Sequence, residues 1–387
     1  MKRTVFAVLF ILSGIFVFSQ EEEKVIRSIT ISGLKRTRES VIYNILEVEE
    51  GDKFSLFNEE VFKQDILKTG ILKPGKIIYH ENENYIDIII EIQEKWTLLP
   101  IPIVSISGAS QSYRFVIMEQ NFLGLRKMLF INSGYSTQDG LTGGIMYRDI
   151  DILPNDLYLF VSGFFNNNRD KFYVHTLGNI GIGKEIDKFG LSSFLKYDHF
   201  LFDSSDQNQF ISNSLIITYR DIYYTSTMQT GTSLSLTLTP GWDIHESTMY
   251  VNLNSSISYR KKILKKLYLS GRLSSQHFDS PILLERSWGG SDNSRTLIPV
   301  ICDQYIGGSA LLEYTFLNLG WGVISSYIQY ELGGYQHNSD NWSMYTGPGA
   351  GLRLYLKKIA IPAVGLDVAY NTLNNKFLFT FAMGMSR

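Results

Sequence analysis

From Leu98 onward, apolar and polar residues alternate along the chain in short segments, and no helical period persists. Leu234, Leu236 and Leu238 fall on one face of such a segment, and the serines and threonines between them fall on the other. An alternation with a period of two indicates β-strands that have one apolar and one polar face. We therefore predict a β-rich region over residues 98–387.

The predicted strands are about sixteen in number, an even count as in single-chain bacterial outer-membrane barrels. They begin near Leu98, Ser112, Lys127, Leu141, Asn155, Lys171, Lys188, Asn208, Gln229, Glu246, Lys266, Tyr305, Gly320, Ser343, Ala360 and Lys376. One face would meet lipid and the other a polar lumen. Closure into a barrel would leave no unpaired strand edge in hydrocarbon.

Residues 24–96 are more charged and mix two periodicities. Strand alternation predicts a first strand over residues 25–32 and a hairpin at residues 76–81 and 85–93. Between them, helical spacing predicts helices over residues 37–46 and 58–69, the second with Asn58 as its N-cap. The order β-α-α-β-β indicates one small α+β domain with a shared core.

The first nineteen residues read as a secretory signal peptide. Lys2 and Arg3 precede an apolar run, and Val17 and Ser19 suit cleavage before Gln20. The run is too short for a membrane anchor, so we expect export from the cytoplasm.

Composition narrows the class of function. Aromatic residues make up 13% of the chain, with 23 Tyr and 24 Phe, as in outer-membrane barrels. Cys302 is the single cysteine, so no intramolecular disulfide is expected. The formal net charge is −2, which gives no basic bias toward nucleic acid.

The residues give little support to enzyme chemistry. The six histidines are scattered without metal-ligand spacing, and Gly289-Gly290 is not followed by the Lys-Ser/Thr of a phosphate loop. We therefore expect a protein that is not an enzyme and has no metal or cofactor.

A polar segment that opens with residues 287–295 (SWGGSDNSR) and runs to about Gln304 interrupts the strands. It follows the eleventh predicted strand, which makes it the sixth loop on the outward side. Long loops inside compact barrels are usually functional. Its one arginine is Arg295.

The order of these segments resembles a known family. Residues 24–96 resemble a POTRA domain, and residues 98–387 resemble the BamA/TamA/two-partner-secretion superfamily of outer-membrane assembly and translocation barrels, the bacterial surface antigen family. The residues that carry the resemblance are Ile29–Gly33, Gly51-Asp52, Leu67–Gly70, Asn121-Phe122-Leu123-Gly124, Tyr219-Arg220-Asp221, Gly289–Arg295 and Glu313-Tyr314. After Arg295 this chain has Thr296 and Leu297 where the family usually has glycine and an aromatic residue.

The resemblance implies that the sixth loop folds back into the lumen and that Arg295 pairs with an acidic group on the wall. Strand parity aims Glu313 and Glu331 inward. A bidentate arginine–carboxylate pair would fix the loop. We expect a lumenal latch formed by Gly289, Gly290, Arg295, Glu331 and, as second partner, Glu313. The alternative is a solvated arginine without a fixed partner.

The barrel seam is expected between the first strand, residues 98–108, and the last strand, residues 376–386 with Gly384. Pro100 and Pro102 lack backbone donors and weaken pairing there, which lateral opening toward lipid would require. Alternatively, the prolines mark the entry from a periplasmic linker.

Together these features predict a mainly β fold class, a 16-stranded transmembrane antiparallel β-barrel preceded by one POTRA-like domain. The resemblance implies a location in the outer membrane, with the POTRA-like domain in the periplasm. The implied function is insertion of outer-membrane proteins or translocation of an exported protein, and a passive pore or structural barrel and a lipid-transfer barrel are the alternatives. The expected partners are outer-membrane lipid, unfolded outer-membrane or secreted clients and periplasmic chaperones, without nucleic acid.

Overall fold

The fold is described from a computed structural model. It describes residues 23–387 except 108–109, 137–139, 154–156, 169–171, 205, 226, 285–286, 289–293, 295, 298–299, 339, 360–363, 374 and 384–387. The predicted signal peptide and four predicted site residues, Gly289, Gly290, Arg295 and Gly384, lie outside the described residues.

A small three-stranded sheet precedes the rest of the chain. Its elements are β1 (Val25–Ser32), the helix Glu39–Tyr43, the 3₁₀ turn Phe54–Leu56, the helix Glu59–Lys68, β2 (Leu72–Glu81) and β3 (Tyr85–Glu94). The central strand β3 runs parallel to β1 and antiparallel to β2. Alternate isoleucines of β3, from Ile86 to Ile92, are buried with Phe62 and Ile66 of the second helix. The strand's period of two therefore supplies one apolar face for the helices to cover.

The two helices differ in how they begin. The helix Glu59–Lys68 begins at Asn58, whose side chain accepts hydrogen bonds from the backbone N–H groups of Glu60 and Val61, as predicted for an N-cap. The first helix is shorter than the predicted residues 37–46, because Thr37 is not available to it. The backbone N–H of Thr37 donates to Glu94 Oε1 at 2.7 Å, which holds this segment as an extended connection.

The large sheet has sixteen strands. These strands are β4 (Leu98–Ser107), β5 (Ser110–Phe122), β6 (Lys127–Ser136), β7 (Gly140–Leu153), β8 (Leu157–Asn168), β9 (Tyr173–Ile186), β10 (Phe189–Phe202), β11 (Gln207–Tyr224), β12 (Gln229–Asp243), β13 (Thr248–Leu264), β14 (Leu267–Phe278), β17 (Gln304–Asn318), β18 (Gly322–Gln336), β19 (Ser343–Leu356), β20 (Val364–Asn371) and β21 (Lys376–Met383). Chain neighbours are sheet neighbours throughout and run antiparallel. The predicted strand count is confirmed. Three predicted starts, Asn155, Lys171 and Ala360, lie outside the described residues, and the other starts agree with the structure to within two residues.

The two faces of the large sheet differ in chemistry. In β18, Ile328, Tyr330 and Leu332 are exposed, whereas Gln329 and Glu331 between them are buried. We call the face that carries exposed apolar side chains the outer face and the other the inner face. Because side chains alternate across a strand, the sequence parity assigns each residue to one of these faces.

The two ends of the sheet also differ. The end at which β4 begins lies beside the small sheet, and we call it the proximal end. The connection 279–303 between β14 and β17 leaves the opposite, distal end, and we call it the long loop. It contains the 3₁₀ turn Ile282–Leu284 and a two-stranded pair, β15 (Ser287–Trp288) with β16 (Val300–Ile301).

Candidate functional site

The long loop reaches the inner face at Glu331. One carboxylate oxygen of Glu331, Oε2, accepts from Ser294 Oγ at 2.7 Å, from the backbone N–H of Thr296 at 3.0 Å and from Thr296 Oγ1 at 2.9 Å. Ser294 and Thr296 flank Arg295 in the sequence, and both are buried. Charge-assisted bonds of this kind are the strong ones. The carboxylate of Glu331 therefore fixes the part of the loop that surrounds Arg295.

A second strand holds the same turn of the loop from the other side. The side-chain amide of Asn371 in β20 donates to the backbone oxygen of Thr296 at 2.5 Å. Between β18 and β20, Gly347 of β19 lies under Thr296, and a Cβ there would be 3.3 Å from the Thr296 methyl group. Three adjacent strands, β18, β19 and β20, therefore contact Thr296. Neither Asn371 nor Gly347 was predicted from the sequence.

Apolar and aromatic side chains continue this attachment toward the distal end. Leu297 and Cys302 of the loop pack with Tyr305 and Tyr345 in one buried cluster. The two tyrosine hydroxyls share a hydrogen bond of 2.7 Å. Burial raises the pKa of the Cys302 thiol to about 11. Cys302 therefore reports on the seating of the loop, because an unburied thiol would titrate near its usual pKa.

The long loop also contacts a distant group of strands. Leu283 and Leu284 pack against Phe200, Phe210 and Tyr250, which belong to β10, β11 and β13. The loop thus touches the inner face at two places, once at β18–β20 and once at β10–β13. We infer that it lies across the inner face rather than over one strand pair.

Glu313 makes a separate, fully buried cluster on the inner face. Its Oε2 accepts from Arg260 Nη2 at 2.7 Å and from Arg353 Nη1 at 3.0 Å. Its Oε1 accepts from Tyr355 OH at 2.8 Å and from Ser325 Oγ. The carboxylate has no exposed surface. Its four described donors all come from the strands, so Glu313 joins β13, β17, β18 and β19 near the proximal end.

Arg260 corrects one reading of the sequence. The basic run RKKILKK at residues 260–266 predicts a turn between the tenth and eleventh strands on the periplasmic side. In the structure, however, Arg260 lies inside β13, which continues to Leu264. The alternation of β13 persists, with Tyr259 exposed on the outer face and Arg260 inward. The run of basic residues concealed this alternation, and extending the parity count through it would have placed Arg260 on the inner face, which also carries Glu313.

Of the predicted seam residues, Pro100 and Pro102 are described, and they lie on an edge strand of the large sheet. Pro100 and Pro102 are exposed on β4, which pairs with β5, and β21 pairs with β20. Between the described residues of β4 and β21, no backbone pairing is present. At the proximal end, the segment before β4 contacts the connection between β19 and β20, because Trp96 forms a parallel bridge with Ile359 and its N–H donates to the oxygen of Lys358 at 2.7 Å.

Asn121-Phe122-Leu123-Gly124 attaches the small sheet to the proximal end. The Asn121 amide donates to Thr37 Oγ1 at 2.9 Å, and the N–H of Arg38 donates to the oxygen of Gly124 at 2.9 Å. Arg36 pairs with Glu119 at 2.7 Å. These contacts give the motif a role that its sequence did not reveal.

The helix Glu59–Lys68 attaches at a second proximal turn. Gln64 and Tyr224 exchange two hydrogen bonds, from the Tyr224 N–H to Gln64 Oε1 at 3.0 Å and from Gln64 Nε2 to the Tyr224 oxygen at 3.3 Å. In the motif Tyr219-Arg220-Asp221, Arg220 pairs with Glu185 at 3.1 Å and Asp221 with Lys188 at 3.0 Å. The motif therefore braces the turn against which the helix lies.

Gly124→Ala is expected to break the contact between residues 36–38 of the small domain and the motif Asn121-Phe122-Leu123-Gly124. A Cβ at Gly124 would lie 2.2 Å from the backbone oxygen of Arg36, and its φ of +72° is strained for alanine by about 1 kcal/mol before any clash. Hydrogen exchange of residues 34–38 should accelerate. Gly320→Ala is the control, since nothing lies within 4 Å of its Cβ. Unchanged exchange in Gly124→Ala would contradict this docking.

Within the described part of the chain, no three His, Cys, Asp or Glu side chains gather as a metal site. No described helix is long and apolar enough to cross a membrane.

The chain is thus a mainly β protein with few helices and a 16-stranded antiparallel sheet. Solved structures with this fold include BamA from Haemophilus ducreyi lacking POTRA domains 1–3, at 14% identity and a TM-score of 0.55 over 92% of this chain and 84% of that one. CdiB from Acinetobacter baumannii and CdiB from Escherichia coli each match at 12% identity and a TM-score of 0.65, over 94% of this chain and 74% of theirs. The expected resemblance to BamA/TamA-like barrels is confirmed for the fold. No protein-family profile matches the chain, and no curated protein matches its sequence.

Proposed function

We propose that this protein is an outer-membrane β-barrel that inserts outer-membrane proteins or translocates an exported protein. The observation that carries the proposal is the long loop bound by Glu331 on the inner face of a sheet with the BamA and CdiB fold. A loop held across the inner face restricts passage, which an open passive pore does not need. Residues 1–19 would direct the export on which this location depends.

The sheet would close between β4 and β21. Its outer face is apolar and its inner face holds charged clusters, as expected of a barrel with lipid outside and a polar lumen. The bridge from Trp96 to Ile359 supports this closure, because it brings the segment before β4 to the connection that leads into β20, the sheet neighbour of β21. With Pro100 and Pro102 in β4 and Gly384 beyond β21, this seam would be the weakest join in the barrel and the place for lateral opening.

Residues 24–96 would form one POTRA-like domain in the periplasm. The side of β1 away from β3 is already covered, because Ile26 and Asp52 share a backbone hydrogen bond of 2.8 Å and Gly51 donates to Ile26 at 2.8 Å. The edge strand β2 is therefore the place where an extended client, or a periplasmic chaperone that carries it, would add as a strand.

The latch would consist of Arg295, presented by Gly289 and Gly290, together with Glu331. Ser294 and Thr296 already bring the loop to that carboxylate. We favour Glu331 over Glu313 as the partner of Arg295, because side chains of strand residues already donate hydrogen bonds to both carboxylate oxygens of Glu313.

Depletion of the protein, followed by quantification of outer-membrane and secreted proteins, tests this function. Broad loss of outer-membrane barrels would indicate insertion, and loss of one secreted protein would indicate dedicated export. Unchanged levels of every client would contradict the proposal and leave a pore, a structural barrel or lipid transfer.

A further inference from the structure

Several chain segments meet at the proximal end beside the seam. The connection from β3 to β4 is joined to the turn after β19 by the hydrogen bond from the Trp96 N–H to the oxygen of Lys358. That turn is joined to the turn before β18, because the Lys357 N–H donates to the oxygen of Trp321 at 3.0 Å. The junction thus brings two lysines and two tryptophans together.

The small sheet contributes two more lysines to this junction. The Lys95 N–H, next to Trp96 in the chain, donates to the oxygen of Ile71 at 2.8 Å, which brings in the start of β2 and Lys73. Burial lowers the pKa of Lys73, and the charges of Lys357 and Lys358 lower it further. Burial likewise lowers the pKa of Lys95 to about 8, with a contribution from Lys73. The charges of Lys357 and Lys358 therefore act on Lys73, and the charge of Lys73 acts on Lys95.

Among the described residues, no carboxylate side chain pairs with this group of cations. Among the described residues, the side chains of Lys73, Lys95 and Lys358 make no ion pair. The Lys357 ammonium donates to the neutral amide oxygen of Asn318 at 2.6 Å. The adjacent carboxylate, Glu94, is taken up by the backbone N–H groups of Arg36 and Thr37. Like charges held together without an acid favour an external anion.

The tryptophans indicate where that anion lies. Trp96 is 64% exposed and stands two residues before β4, and Trp321 is 49% exposed and stands directly before β18. Both therefore occupy the level at which strands would enter the bilayer. Tryptophan is enriched at the membrane–water interface, where lipid headgroups lie. Basic residues at that level attract anionic lipids.

We propose that Lys73, Lys95, Lys357 and Lys358, with Trp96 and Trp321, bind the phosphate of an anionic phospholipid headgroup at the proximal base of the seam. The bound lipid would neutralise the lysines and tie the small domain to the first and last parts of the barrel. This site rests on the outer-membrane location proposed above but not on any client.

Binding can be measured on the full chain in a neutral detergent by titration of short-chain phosphatidylglycerol, with the unfolding temperature as the signal. Phosphatidylcholine with the same acyl chains and inorganic phosphate are the comparison ligands. The test variant is Lys73→Gln/Lys95→Gln/Lys358→Gln. Its matched control, at a different proximal turn, is Lys261→Gln/Lys262→Gln/Lys265→Gln.

Phosphatidylglycerol should raise the unfolding temperature of the wild type more than either comparison ligand. The test variant should bind about fivefold more weakly for each lysine removed, whereas the control should keep wild-type affinity. An arginine triple at the three test positions should also retain binding, which guards against misfolding as the cause of loss. Equal binding by the test variant, equal loss in the control, or an equal effect of inorganic phosphate would overturn the proposal.

Discussion

Glu313→Ala is expected to destabilise the folded protein by about 3–5 kcal/mol, the usual cost of removing one member of a buried ion pair. The substitution leaves Arg260 and Arg353, which are 11% and 2% exposed, without the carboxylate they share. Tyr355 and Ser325 lose an acceptor as well. Urea unfolding in detergent, followed by heat-modifiable electrophoresis, gives the change in the free energy of unfolding.

Two further variants separate the ion pair from simple packing loss. Glu246→Ala, in an exposed connection, is the control and should change stability by less than about 0.5 kcal/mol. Arg260→Met combined with Arg353→Met and Glu313→Leu should recover much of the lost stability, because an apolar replacement of a buried charge cluster is often tolerated. If the Glu313→Ala protein is as stable as the Glu246→Ala protein, the buried cluster around Glu313 does not stabilise the fold as stated.

Glu331→Arg is expected to release the long loop from the inner face. The new guanidinium would meet the donors of Ser294 and Thr296, and no acceptor would hold them. The native Cys302 reports the release, because it is the chain's single cysteine and is buried with Leu297. With its pKa raised to about 11, few wild-type thiols are ionised at pH 8. Maleimide labelling should accelerate on the order of a hundredfold as the thiol returns to its usual pKa near 8.5.

The pH dependence gives an internal check. The thiolate is the reactive form, so the wild-type rate should keep rising to about pH 11, whereas the rate of Glu331→Arg should level off near pH 9. Glu246→Arg makes the same charge reversal in an exposed connection and should label like the wild type. The loop assignment would be wrong if Glu331→Arg and the wild type label at the same rate across this range.

Strand parity is the basis of the predictions of which face of the sheet each residue occupies. In β18 and β20, Ile328 and Leu366 are exposed whereas Glu331 and Asp367 are buried, as alternation along a strand predicts. This works because a strand has only two faces and the outer one is largely apolar. Parity cannot give the register between distant strands, however, so it could not foresee that Glu313 meets Arg260 and Arg353.

Tertiary contacts explain the other differences. The helix predicted over residues 37–46 is cut short because Thr37 binds Glu94 and Asn121, which are far away in the sequence. Ser294 and Thr296 do not stand out in the sequence, because the role of their hydroxyls depends on Glu331, which only the fold brings beside them. Thr296, which stands where the family usually has glycine, therefore contributes two of the hydrogen bonds that hold the loop.

We propose both that the protein delivers clients to or across the outer membrane and that the seated loop is needed for this delivery. The most direct test is complementation of a depleted strain with the wild type or with Glu331→Arg, at equal amounts of folded protein. The abundance of outer-membrane and secreted proteins is then quantified. We predict that the wild type restores the lost clients and that Glu331→Arg does not. Equal restoration by both, or no client lost on depletion, would contradict the account.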